Sequence, residues 1–155
     1  MAAKFYSPVI FVKDIRLSKQ FYIDVFELTI QHDFVTNIMF QEGLSIWQIN
    51  PEHEIAHKHP LREKGDIRFE LYFESDDLEE MLQKLTNEKA EFLHKIKEEP
   101  WGQRTIRFYD PDYHLVEIGE TLSAFVNRMA DEGMNKEQIA EKTGIPLNDI
   151  DKILD

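Results

Sequence analysis

The chain has no cysteine among its 155 residues, which excludes disulfide staples and zinc–thiolate centres and is neutral about compartment. It is short of positive charge: 18 Lys and Arg stand against 30 Asp and Glu, a formal net charge of −12. So acidic a chain repels phosphate, which argues against nucleic acid or an anionic membrane as its main partner. No apolar run approaches the roughly 18 residues of a membrane helix, and there is no signal-like apolar segment. A cytoplasmic protein is therefore expected. What the chain does have is core-forming material: 42 % hydrophobic residues, with 11 Phe. That suits one domain, residues 1–120, followed by a short extension, 121–155.

The most informative stretch is PWGQRTIRFYDPDYHLVEIGE, Pro100 to Glu120. Thr105–Tyr109 and His114–Ile118 have the β-branched and aromatic character of strands. Asp110-Pro111-Asp112 between them reads as a turn, because Pro presets φ and Asp side chains bond the backbone just ahead. Glu117 then lies inside a strand, on one face with Leu115 and Gly119. A carboxylate on a half-apolar face is costly unless a metal, an arginine or a substrate pairs with it, or unless the face is solvated.

Two internal echoes organise the rest. SPVIFVKDIRLSKQFY, from Ser7, is repeated in outline by ELYFESDDLEEMLQKL, from Glu70, at an offset of 63. Asp14 then matches Asp77, Ile15 matches Leu78, Ile10 matches Phe73 and Tyr22 matches Leu85. A second echo, at an offset of 69, lays Ile46, Gln48 and Ile49 on Leu115, Glu117 and Ile118. The pattern predicts two βαβββ modules, Phe5–Asn50 and Ile67–Glu120, as one supersecondary unit used twice. Alternation puts Phe69, Leu71 and Phe73 on one face of the fifth strand and Arg68, Glu70 and Tyr72 on the other. In the first strand Ile10 and Val12 should pack on helix Ile15–Phe26, with Ser7, Val9 and Phe11 opposite.

Carried by VIFVKDIRLSKQFY, FELYFESDDLEEM and the closing PWGQRTIRFYDPDYHLVEIGE, the sequence from about Phe5 to Glu120 resembles the vicinal-oxygen-chelate superfamily. That superfamily includes glyoxalases, extradiol dioxygenases, fosfomycin-resistance enzymes and bleomycin-resistance proteins. The resemblance implies an α+β fold in which two βαβββ modules form a curled mixed sheet around a cavity. It also implies metal ligands on the first and last strands of each module. Carried over, those positions are Ser7, Gln48, Glu70 and Glu117, with Glu117 at the best-kept ligand position. Ser7 and Glu70 stand where the metal-dependent members carry His or Gln and His, so an iron-type dioxygenase site is not expected. An oxygen-donor site for a divalent ion (Mg, Mn, Ni or Zn) and a metal-free cavity both remain open.

Around this core, His53, His57 and His59 lie in a segment bracketed by Pro51, Pro60 and Gly65, which reads as a lid-like or solvated loop. Trp101-Gly102-Gln103-Arg104 precedes a strand, and the resemblance puts it at the cavity mouth. There Arg104 or Arg107 is a candidate for holding an anionic substrate group, or else balances an acidic surface. In the extension, Leu122, Phe125, Val126 and Met129 make a helical stripe. Asn135 caps a second helix, Gly144 ends it and Pro146 starts a third, in the outline of a helix-turn-helix. Four basic residues against seven acidic ones after Glu120 do not suit a DNA reader, so packing or dimerisation is expected.

Two functions follow from the resemblance. One is a glyoxalase-like enzyme, a lyase or isomerase, acting on a small molecule with vicinal oxygens. Glu70 or Glu117 would move a proton there with the help of a divalent metal. The alternative is a metal-free binding protein of the bleomycin-resistance kind, with Phe5, Phe11, Tyr72 and Trp101 as apolar wall and Arg104 as a charge contact. A homodimer is expected in either case.

Overall fold

Asp14 and Asp77, matched by the repeat, do the same work in the folded chain. In this computed structural model, which describes residues 3–59, 67 and 69–155, the short strand β1 (Val9–Phe11) runs into helix α1 (Ile15–Phe26). The Asp14 carboxylate accepts from the N–H groups of Arg16 and Leu17 and so starts that helix. Strands β2 (Ile30–Asp33), β3 (Asn37–Phe40) and β4 (Ser45–Trp47) complete the first module. A five-residue helix, α2 (Glu54–Lys58), follows, with His53 Nδ1 accepting from Ile55 N–H at its start. The sequence reads that segment as a loop; its later residues Pro60 and Gly65, like Arg68, lie outside the described residues. Strand β5 (Leu71–Ser75) then enters helix α3 (Leu78–Asn87), where Asp77 accepts from Glu80 N–H. Strands β6 (Glu91–Glu98), β7 (Arg104–Tyr109) and β8 (Leu115–Glu120) close the second module. Helices α4 (Leu122–Asp131), α5 (Lys136–Thr143) and α6 (Leu147–Leu154) form the extension.

The fold is thus α+β with two βαβββ modules. Each carries an open, mixed four-stranded sheet, ordered β1-β4-β3-β2 and β5-β8-β7-β6, with one parallel pair. Two compact units result: Met1–Arg68 with the turn Asp110–His114, and Phe69–Tyr109 with Leu115–Asp155. No helix among the described residues is long and apolar enough to cross a membrane.

In the first unit Ile10, Val12, Ile15, Phe21, Tyr22, Val25, Ile38, Phe40 and Ile46 are buried. The turn Asp110–His114 is fastened in this unit. The Tyr22 hydroxyl donates to Asp110 Oδ2 at 2.7 Å, and the N–H groups of Asp112 and His114 donate to Asp110 Oδ1. Asp112 in turn accepts from Lys13 N–H and the Ser18 hydroxyl. In the second unit Ile106, Phe108, Val116 and Ile118 are buried with Leu78 and Leu85 of α3. The extension has its own small core of Phe125, Val126, Met129, Ile139 and Ile150. Asn135 and Gln138 form a reciprocal capping box, and Gly144 ends α5 in the left-handed conformation at φ +76°, as the sequence indicates.

Candidate functional site

The apolar set Ile106, Phe108, Val116 and Ile118 commits one face of the second sheet to the core. Alternation leaves the residues between them on the other face. Register lines them up across the sheet: Tyr72 of β5 opposite Glu117 of β8, Glu117 opposite Arg107 of β7, and Arg107 opposite His94 of β6. Glu70, two residues before Tyr72, joins this row, and Glu99 reaches it from the turn after β6.

Arg107 is the centre of the cluster. Its Nε donates to Glu70 at 3.0 Å, Nη1 to Glu99 at 2.7 Å and Nη2 to Glu117 at 2.5 Å, with His94 Nε2 3.3 Å from Nη1. Three carboxylates around one guanidinium leave an excess of negative charge, which a shared proton relieves. Glu70 and Glu117 hydrogen-bond one another, and burial together with that bond pushes Glu117 up to about 7 against the pull of Arg107. Burial also works to raise Glu70, but its bonds to Glu117 and Arg107 outweigh it and hold Glu70 below the ordinary value. The division of roles follows exposure, since the Glu117 side chain is 6 % exposed and that of Glu70 33 %. The pair therefore keeps an ionised carboxylate beside a carboxyl that gains and loses its proton near neutrality.

A second network borders this row. Gln103 is fully used: Oε1 accepts from the Trp101 indole N–H at 3.1 Å, and Nε2 donates to the Tyr72 hydroxyl at 3.0 Å and to the Glu120 carbonyl at 2.8 Å. It lies over Gly119, where a Cβ would come within 2.6 Å of the Gln103 amide nitrogen. Trp101 and Tyr72 keep half-exposed rings that are fixed by this amide. Arg104 is engaged elsewhere: it holds Glu120 through Nε at 2.7 Å and Glu79 through Nη1 at 2.9 Å.

The first module presents a different pair. Val9 lies opposite Ser45 in the parallel β1–β4 pairing, as Tyr72 lies opposite Glu117 in β5–β8. Ser45 is therefore the register equivalent of Glu117, at an offset of 72 instead of 69. A slip of three residues, being odd, moves a side chain to the opposite face. Gln48 accordingly turns toward the helix, where its Oε1 accepts from Ile15 N–H at 2.8 Å at the start of α1. Ser7, the equivalent of Glu70, lies 2.9 Å from Ser45, hydroxyl to hydroxyl. One module thus carries a neutral serine pair where the other carries a glutamate pair. Phe11 packs beside Trp47, ring centroids 6.0 Å apart, and Phe5 is 82 % exposed.

These residues do not suit a divalent ion. Glu70 and Glu117 already share the Arg107 guanidinium, so an ion on the same oxygens would face a fixed positive charge. Ser7 is satisfied by Ser45, and Gln48 by the α1 backbone. Among the described residues no group of three or more His, Cys, Asp or Glu is arranged to hold a metal.

Sequence reasoning missed Ser45, Glu99 and the Glu120–Arg128 pair, and it named Gln103 only as part of the segment before β7, without its hydrogen-bonding role. Only Ser45 had a usable signal: Ser45-Ile46-Trp47 alternates in phase with Glu117-Ile118-Gly119.

Comparison with known proteins agrees with this architecture. The glyoxalase-like domain family matches residues 5–123. A crystal structure of a protein of unknown function from Agrobacterium tumefaciens is 36 % identical, covering 79 % of this chain and 97 % of that one, with a TM-score of 0.68. A lactoylglutathione lyase from the same organism is 20 % identical over 77 % of this chain and 95 % of its own, at a TM-score of 0.57. A genomically encoded fosfomycin resistance protein from Listeria monocytogenes is 19 % identical over 80 % and 98 %, at 0.59. The latter two are likenesses of fold. No curated relative matches the chain. Two βαβββ modules and a family match spanning both make this chain a member of the glyoxalase-like domain family, in the superfamily of glyoxalases, bleomycin-resistance proteins and dioxygenases.

Proposed function

We propose that this protein is a glyoxalase-like enzyme that moves a proton on a small molecule with neighbouring oxygens, and that it does so without a divalent metal. The observation that carries the reading is the Arg107 guanidinium bonded to both Glu70 and Glu117. It supplies a fixed positive charge at the positions where the resemblance implies metal ligands. Glu117 is the proton carrier, since its carboxyl sits near pH 7. As the carboxylate, Glu117 takes a proton from the substrate carbon and gives it back to the neighbouring atom, ending ionised as it began. Glu70 stays ionised throughout and keeps the proton affinity of Glu117 near neutrality. Tyr72 and Trp101 form the wall against which the substrate lies. A homodimer and a cytoplasmic setting belong to the same proposal.

The rings of Trp101 and Tyr72, exposed and held by Gln103, favour a second reading, in which the same face binds a flat small molecule without chemistry. Proton exchange separates the two. The enzyme should exchange the α-protons of small α-hydroxyketones, dihydroxyacetone first, into D₂O, as followed by proton NMR. Chelator should leave the rate unchanged, and Glu117→Gln should lower it by about a hundredfold or more. A rate that vanishes with chelator and returns with Mn²⁺ would sink the metal-free mechanism. No exchange across the panel, with aromatic ligands still quenching Trp101 emission, would favour the binding protein.

A further inference from the structure

We propose that Arg128, in the extension, is a positioning residue for this site: from α4 it grips the Glu99–Gln103 turn and sets where Glu99, Trp101 and Gln103 stand on the Arg107 face. The inference rests on reading that face as the functional site, and it gives the extension a role in it. Arg128 uses its whole fork. Nε and Nη2 hold the two oxygens of Glu120 at 2.9 and 2.8 Å, Nη2 also donates to the Gly102 carbonyl at 2.7 Å, and Nη1 reaches Glu132 at 3.1 Å. A planar guanidinium can make these contacts together, which a point-charge ammonium cannot.

Gly102 is the place where the turn meets the helix. Its φ of +95° suits glycine, and a Cβ there would lie 1.8 Å from the end of the buried Met129 side chain. Gly102 N–H donates to the Glu99 carbonyl and Glu99 N–H to the Gln103 carbonyl, both at 2.8 Å, so the turn moves as one piece. Three side chains of that piece serve the site face. Glu99 accepts from Arg107 and from the Thr105 hydroxyl, Gln103 fixes Tyr72, and Trp101 is held by Gln103. The remainder of the extension packs on itself through Ile139 and Ile150, apart from Lys142, whose stem lies beside Gly102 and whose ammonium reaches Glu98 at 3.3 Å. The hydrogen-bonded grip on the turn is therefore made by Arg128.

The test is the exchange rate of the Trp101 indole N–H with solvent, followed by NMR in the full-length chain, alongside the melting temperature. Arg128→Gln should speed that exchange by about tenfold, the protection one ordinary hydrogen bond provides. Arg128→Lys keeps a charge beside Glu120 without the fork that also reaches Gly102. It should recover melting temperature lost in Arg128→Gln while exchange stays fast. Glu132→Gln, which touches only the outer arm, should change neither. Wild-type exchange in a folded Arg128→Gln protein overturns the proposal. If that variant does not fold, wild-type exchange in Arg128→Lys overturns it equally. Fast exchange in Glu132→Gln would also overturn it, by tracing the effect to fraying of α4. The readout uses no substrate, so a protein that moves no proton leaves this result standing, and an unchanged indole leaves the proton chemistry standing.

Discussion

Glu117 owes its proton affinity to neighbours that lie far from it in sequence. Burial and the Glu70 carboxylate raise it to about 7, from an ordinary value of 4.5, while Arg107 pulls the other way. The folded chain therefore keeps a proton on Glu117 at pH values where the unfolded chain has released it. The stability this proton confers is fully present below about pH 4.5 and is lost as pH rises through 7. Glu70, held below its ordinary value, acts in the opposite sense: its contribution is present above that value and is lost as pH falls. In Glu117→Gln the first titration is gone. Its melting temperature should fall less than the wild type's between pH 5 and 8, with a gain at pH 8 of at most about 3 kcal/mol. The remaining slope belongs to groups such as His114, whose proton affinity Asp110 raises against burial. Thermal melts across that range check this. A wild-type melting temperature that climbs through the window would mean that Glu117 is ionised in the folded protein.

At the scale of elements, β8 joins the core to the site. Val116 and Ile118 are buried on one side, while Glu117 and Gly119 stand on the other. Gly119 is there for space: a methyl group would lie 2.6 Å from the Gln103 amide and 2.9 Å from the Tyr72 hydroxyl. Gly119→Ala should force Gln103 off its three hydrogen bonds and cost about 1–3 kcal/mol. It should also free the Trp101 indole, read as easier acrylamide quenching of its emission. Unchanged stability and quenching would show that the row accommodates a side chain there. The elements themselves were legible because local chemistry specifies them: Asp14 and Asp77 cap their helices, and Asn135 and Gln138 form a capping box. Register in the short strand β4 was not. A strand of only three residues leaves the pairing weakly specified, and a slip of three put Gln48 where Ser45 belongs.

At the scale of the molecule, the apolar stripe of the extension is satisfied within the chain. Phe125, Val126 and Met129 are covered by α5 and α6, while Leu122 stays partly exposed. The case for a homodimer therefore shifts to the first unit, where Phe5, Tyr6, Phe34 and Val35 expose large apolar side chains. Val35 adds a second sign, a β-branched residue at φ +69° in the exposed β2–β3 hairpin. A dimer is expected by light scattering, and Phe34→Ser with Val35→Asn should weaken it. A wild-type monomer at roughly tens of micromolar, a range where weak dimers already form, would count against it.

By itself the sequence determined the two modules, their helices and caps, the turn at Asp110 and the commitment of Glu70 and Glu117 to one sheet face. These follow from periodicity and from bonds between residues a few positions apart, which the chain carries locally. Tertiary structure decided what those carboxylates are paired with. Arg107 is ten residues from Glu117 and thirty-seven from Glu70, and Arg128 reaches back twenty-six residues to Gly102. Whether a guanidinium reaches a given carboxylate depends on strand register and loop path, and several acidic partners were within its range. Only the folded sheet, by laying Glu117 between Tyr72 and Arg107, selects among them.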